Sequence, residues 1–196
     1  DTTGSLIEVI IYQLAEHPEY QDIILESLKS EPNIYTNKKL NNFILETMRL
    51  LSPLRYSMAR EVVKPFTIGG FKFELGDKFR LCYGAVMTNM KYFDNPWEFK
   101  PDRFNNPLQH PNSFMPFSGG ARNCIGQHMA MMELRLPPHR FSKNTGWSGL
   151  LATSNAHGGF PQRTNHSSFG QVHYKGVMID RIDIFLEYLV TQLVDF

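Results

Sequence analysis

The decapeptide Phe117-Ser118-Gly119-Gly120-Ala121-Arg122-Asn123-Cys124-Ile125-Gly126 constrains this chain more than any other stretch. It sets one cysteine among glycines, two residues after an arginine and directly before a segment of helical character. Glycine has no side chain and tolerates positive φ, so such a loop can turn tightly and bring main-chain amides close to a sulfur. Residues 126–135 (GQHMAMMELR) are predicted to be helical. The positive end of that helix dipole then points at Cys124, which favours a thiolate over a thiol. Arg122 adds a fixed charge suited to a carboxylate. Taken alone, a cysteine among glycines can equally be a small buried hydrophobe, and the rest of the chain has to decide between the two.

A chain of 196 residues can bury the core of one domain. Its formal net charge of +1 gives no reason to expect a nucleic-acid partner. Cys82 and Cys124 cannot build a disulfide framework, and neither stands in a Cys-x-x-Cys pair that would suit zinc. This usage fits a reducing compartment or the cytosolic face of a membrane. No signal peptide or membrane-spanning run is evident, the early Ile10-Ile11 being far too short. The chain starts at Asp1 rather than Met, so a longer parent protein is expected.

Leu6, Ile7, Ile10, Ile11 and Leu14 recur at helical spacing over residues 4–16, and His17-Pro18 ends the run. A second helix is predicted over 18–29, with proline in its first turn and Pro32 beyond its end. A third is predicted over 36–51, with Thr36 as N-cap and Ser52-Pro53 as the stop. Residues 66–73 (FTIGGFKF) alternate around Gly-Gly and predict a β-hairpin. A turn at Leu75-Gly76-Asp77 leads into a strand or short helix ending at Met87, and residues 92–116 suit an irregular packed segment. The order contains no βαβ alternation, and the fold class is mainly α with a small β component. After Arg135, Leu136-Pro137-Pro138 is expected to break the last helix. Residues 136–176 are rich in Gly, Ser and Asn, and apolar spacing returns only over 177–196, as one amphipathic helix.

Phe117-x-x-Gly120-x-Arg122-x-Cys124-x-Gly126 resembles, at every fixed position, the haem-binding signature of the cytochrome P-450 haem-thiolate monooxygenases. The resemblance implies a partial cytochrome P-450-like fold and haem b, with iron bound axially by Cys124, whose thiolate donates electron density and favours O–O cleavage. It implies Arg122 on a haem carboxylate and Phe117 shielding the sulfur, although Phe117 reads equally as a core phenylalanine. Gly120 and Gly126 complete the cofactor loop. Arg60, just before the hairpin, is either a second carboxylate clamp or a solvated strand residue.

Glu46 and Arg49 lie at i and i+3 on an otherwise apolar helix, which argues for a buried pair rather than a surface one. They resemble the family's Glu-x-x-Arg, and Pro101-Asp102-Arg103-Phe104 resembles its Pro-x-Arg-Phe. Glu46, Arg49 and Arg103 are therefore expected to form a structural triad without a catalytic role. Asp1-Thr2-Thr3 resembles the end of the family's distal-helix motif. On that reading Asp1 relays a proton and the Thr2 hydroxyl activates oxygen; the plain alternative is a helix N-cap. Met87-Thr88-Asn89 departs from the more usual His-Arg-Asp.

The resemblance covers residues 1–135, the C-terminal part of a cytochrome P-450 domain, and leaves 136–196 as a divergent tail. Spacings of His139, His157, His166 and His173 fit no standard zinc site. The activity implied for the parent protein is insertion of one oxygen atom from O2 into a small apolar organic substrate, such as a lipid or fatty acid. An NADPH-dependent reductase would supply electrons. The implied location is the cytosolic face of the endoplasmic reticulum membrane, with an anchor expected before Asp1. Two alternatives stand: a non-catalytic haem-binding fragment or degenerate product of such an enzyme, and a helical structural domain without cofactor.

Overall fold

Leu6, Ile10, Gln13 and Leu14 fall on one face of helix α1 (Thr2–Glu16), and all four are buried. The computed structural model describes residues 2–144. Asp1 and residues 145–196 lie outside the described part, and so do His157, His166, His173 and the helix expected over 177–196. Helix α2 (Pro18–Ser30) starts on a proline whose missing N–H would have had no intrahelical partner. Glu19 in its first turn and Lys29 in its last suit the dipole, and it buries Ile24 and Leu28.

Helix α3 (Lys38–Leu51) is the element the others surround, with Leu40, Phe43, Ile44 and Met48 almost fully buried. Its N-cap is Asn37 rather than Thr36. Asn37 Oδ1 accepts the Leu40 N–H at 3.0 Å, and its Nδ2 donates to Ser27 Oγ at 2.9 Å and to the Glu31 carbonyl at 3.0 Å. Both residues are capable caps, but only Asn37 has a second function, tying the end of α2 to the start of α3.

The described residues form two compact units, one of residues 2–57 with 82–144, the other of residues 58–81. In the smaller, β2 (Phe66–Ile68) and β3 (Phe71–Phe73) pair antiparallel with Phe66 opposite Phe73. Gly69 and Gly70 both take positive φ, 52° and 80°, as a tight two-residue hairpin turn requires. A second antiparallel pair joins β1 (Arg60–Glu61) to β4 (Lys78–Phe79). At two residues each, these strands are too short to show an alternating pattern.

In the larger unit a short helix, α4 (Tyr83–Met87), is followed by an irregular stretch with 3-10 turns at Pro101–Phe104, Pro111–Ser113 and Gly120–Arg122. Helix α5 (Gln127–Asn144) comes last. It runs on through Pro137 and Pro138, where a break is expected from the sequence. Proline removes a donor, but its ring holds φ at about −65°, a helical value. Fully buried Leu134, in the turn before, fixes α5 against the core. That core unites Leu6, Ile10 and Leu14 with Ile24, Leu28, Leu40, Phe43, Ile44, Met48 and Leu134, and Phe99, Phe114 and Phe117 pack against it. The fold is mainly α with a small β component.

Candidate functional site

The cysteine loop is built from its own main chain. Cys124 donates its N–H to the Phe117 carbonyl at 2.9 Å, and Asn123 donates to Gly120 at 3.1 Å. Gln127 donates to the Cys124 carbonyl at 3.3 Å, and Ala130 donates to Gly126 at 2.9 Å as the first full turn of α5. Gly120 and Ser118 sit at positive φ, 68° and 67°. At Ser118 this conformation is costly for a side-chain-bearing residue. Cys124 is a free, exposed thiol immediately before α5. A Cβ added at Gly126 would lie 3.9 Å from Cys124 Sγ, an ordinary van der Waals contact. Ile125 beside it is fully exposed. The loop therefore faces outward with its sulfur presented.

Behind α3 lies a buried ion cluster. Arg49 grips Glu46 in fork geometry, Nε to Oε2 at 2.8 Å and Nη2 to Oε1 at 2.8 Å, with both side chains fully buried. Arg103 Nε donates to Glu46 Oε1 at 3.0 Å, and the Lys100 N–H reaches the same oxygen at 2.9 Å. One carboxylate thus serves two guanidiniums. The excess positive charge is met by main-chain carbonyls: Met87 and Glu98 accept from Arg49, and Asp94, Asn95 and Glu98 accept from Arg103. The Phe93 ring faces Arg49 Cζ at 5.0 Å from its centroid. The structure therefore brings Glu46, Arg49 and Arg103 together. The carbonyl acceptors carry no side-chain signature and are invisible in the sequence.

The other candidates stand apart from that cluster. Phe117 is half-buried against the core, with its carbonyl on the Cys124 N–H. Arg122 is exposed at the end of its 3-10 turn, and Thr2 is exposed in the first turn of α1. Arg60 is a half-buried strand residue opposite Phe79, within the smaller unit. Neither Arg60 nor Arg122 has a carboxylate partner among the described residues. Tyr83 is a participant the sequence reading misses. Its hydroxyl lies 2.7 Å from Ser118 Oγ, across 35 positions of sequence that no local pattern spans.

The donor set limits what can bind. Among the described residues no group of three or more His, Cys, Asp and Glu could hold a metal ion. A group that carries its own metal ligands therefore suits what the described residues offer at Cys124. One presented soft sulfur, with the exposed Arg122 guanidinium two residues before it, fits haem, which carries its own ring of nitrogens and two carboxylates to be neutralised.

An exposed cysteine directly before a helix, in a mainly α fold, fits the class of haem-thiolate proteins. The family model for cytochrome P450 matches residues 1–141. Cytochrome P450 4d2 of Drosophila melanogaster is 34% identical over 148 residues, 69% of this chain and 29% of that protein. Cytochrome P450 4A2 of Rattus norvegicus is 35% identical over 147 residues, again 69% and 29%. Cytochrome P450 3A14 of Cavia porcellus is 33% identical over 156 residues, 74% of this chain and 31% of that protein. The chain belongs to the cytochrome P450 family. It spans less than a third of the length of these relatives. Among the described residues, no helix is long and apolar enough to cross a membrane.

Proposed function

We propose that this chain carries the cysteine-ligand side of a haem-thiolate monooxygenase that inserts one oxygen atom from O2 into a small apolar organic substrate, a lipid or fatty acid being the class favoured. The observation that carries the reading is the outward sulfur of Cys124, held by its own N–H on the Phe117 carbonyl at the mouth of α5. Haem, when bound, supplies the redox chemistry of O2 activation. The rest falls to the chain's own side chains. Cys124 Sγ binds the iron as thiolate, and the helix N-terminus behind it suits that negative charge. Arg122 and Arg60 hold the haem carboxylates by charge-assisted hydrogen bonds. Phe117 keeps water from the sulfur. The Thr2 hydroxyl and the Asp1 carboxyl hold and pass a proton at the oxygen-binding face. Glu46, Arg49 and Arg103 hold the core and take no part in proton transfer.

An NADPH-dependent reductase as electron donor, and a place on the cytosolic face of the endoplasmic reticulum membrane, go with this reading. On the same reading, residues 1–135 are the C-terminal part of a cytochrome P-450 domain and 136–196 a divergent tail. The test is the carbon monoxide difference spectrum of the reduced, haem-supplied chain, with Cys124→Ser as control. A red-shifted Soret band that disappears in the variant supports the assignment. A band that survives in Cys124→Ser, or haem uptake indifferent to the substitution, sinks it.

A further inference from the structure

We infer that the Tyr83 hydroxyl is a positioning group for the cysteine loop, transmitting the rigidity of the buried Glu46–Arg49 pair to Ser118. Tyr83 is 6% exposed, so its hydroxyl must find a partner inside the protein, and it finds Ser118 Oγ at 2.7 Å. Tyr83 opens α4, and that short helix is pinned at both ends. At the near end Gly84 donates its N–H to the Arg55 carbonyl at 3.0 Å, and Arg55 Nη2 reaches the Gly84 carbonyl at 3.4 Å. At the far end Arg49 Nη1 holds the Met87 carbonyl at 2.8 Å.

Contact between Arg55 and α4 is close enough that a Cβ on Gly84 would collide with the arginine. The phenol therefore comes from a fixed bracket. At the other end of the bond, Ser118 holds φ at 67°, a conformation that persists only when its surroundings enforce it. Its N–H on Met115 (3.2 Å) supplies one constraint, and the Tyr83 hydroxyl supplies the other. Directly before Ser118, Phe117 offers the carbonyl that fixes Cys124. A path of bonded groups thus runs from Glu46 through Arg49, Met87, α4, Tyr83 and Ser118 to the sulfur-bearing residue. Its importance for ligation rests on the proposed function. The coupling itself does not.

Amide hydrogen exchange of the 196-residue chain without added haem tests the coupling. Tyr83→Phe keeps the ring and removes only the hydroxyl. It is expected to raise exchange at the Asn123 and Cys124 amides about fivefold, the worth of one hydrogen bond, while the α3 amides keep their rates. Ser118→Ala should do the same, and the double variant should exchange no faster than either single one. Unchanged loop exchange in Tyr83→Phe, or additive effects in the double variant, overturns the inference. If Tyr83→Phe loosens α3 as well, Ser118→Ala alone decides, and an undisturbed loop there is equally fatal. A spectroscopic readout follows where haem is bound: Tyr83→Phe should lower the share of the red-shifted carbon monoxide band relative to the unshifted one. A chain that takes up no haem by itself is not an enzyme alone, and the exchange result then stands or falls by itself.

Discussion

Arg49 donates to the main-chain carbonyl of Met87 at 2.8 Å, 38 residues further along the chain, while the same guanidinium grips Glu46. One side chain therefore fastens the end of α4 to the last turn of α3, and its charge is neutralised by a carboxylate that is itself fully buried.

Removing Glu46 takes the carboxylate from two guanidiniums, and removing Arg49 leaves the fully buried Glu46 with Arg103 as its one ion partner. Glu46→Ala and Arg49→Ala are each expected to cost about 3–5 kcal/mol of unfolding free energy. The double variant should cost clearly less than the sum, because it leaves no unpaired ion between the two positions. Urea unfolding midpoints of the four proteins form the cycle. A strictly additive double variant would show that the two side chains do not share one network.

Asn37→Ala is expected to lose about 1–2 kcal/mol, since it deletes a cap and two further hydrogen bonds between α2 and α3. Thr36→Ala, by contrast, removes only a long contact to the Asn33 carbonyl at 3.4 Å and should stay within about 0.5 kcal/mol of the parent. Equal losses at the two positions would move the cap back to Thr36.

Asp102 sits below the usual carboxylate range, chiefly because it accepts a hydrogen bond from Lys39, with Asn105 as a second donor. A carboxyl depressed in the folded state stabilises the protein above its unfolded pKa, and that stability is lost as pH falls through its folded value. Stability measured below about pH 4 should therefore decline less steeply in Asp102→Asn than in the parent. The pair is largely exposed, so the difference is expected to be under about 1 kcal/mol and to shrink with added salt. Identical acid limbs in the two proteins would assign the decline to other groups.

Gly84→Ala places a methyl group against the Arg55 side chain, with Nε the nearest atom and Cβ and Cζ each 3.0 Å away. Overpacking of this kind costs about 1–3 kcal/mol. Arg55→Ala gives up the bonds to Leu50 and Gly84 but opens the space, so adding it to Gly84→Ala should cost less than its own single effect. Thermal unfolding of the three variants settles whether that relief exists; simple additivity would mean that the methyl is accommodated elsewhere.

Features that depend on neighbours in sequence were the legible ones. The three helices ahead of Pro53, the Gly69-Gly70 hairpin and the helix after Cys124 follow from apolar spacing, prolines and glycines acting over a few residues. Glu46 and Arg49 were recognisable because an i, i+3 ion pair in an apolar helix has to be buried. Asn37 was missed as the cap because its advantage over Thr36 comes from Ser27 and Glu31, ten and six residues away. Continuation of α5 was missed because a proline pair is locally a breaker, whereas Leu134 anchors the helix by tertiary contact. Tyr83 carried no signal, since its partner is set by the packing of α4 rather than by any motif.

Contacts between α3 and the turn at Pro101–Phe104 form a short ladder: Lys39 to Asp102, Asn42 to Asn105, and Glu46 to Arg103, at separations of 63, 63 and 57 positions. The ladder closes a loop that contains both β-pairs. Closure entropy rises only with the logarithm of loop length, so doubling such a segment costs about 0.6 kcal/mol. Insertions at the Gly69-Gly70 turn should therefore be tolerated thermodynamically. The chain has room to change the size of its β region over evolutionary time while the ends of that region stay fixed.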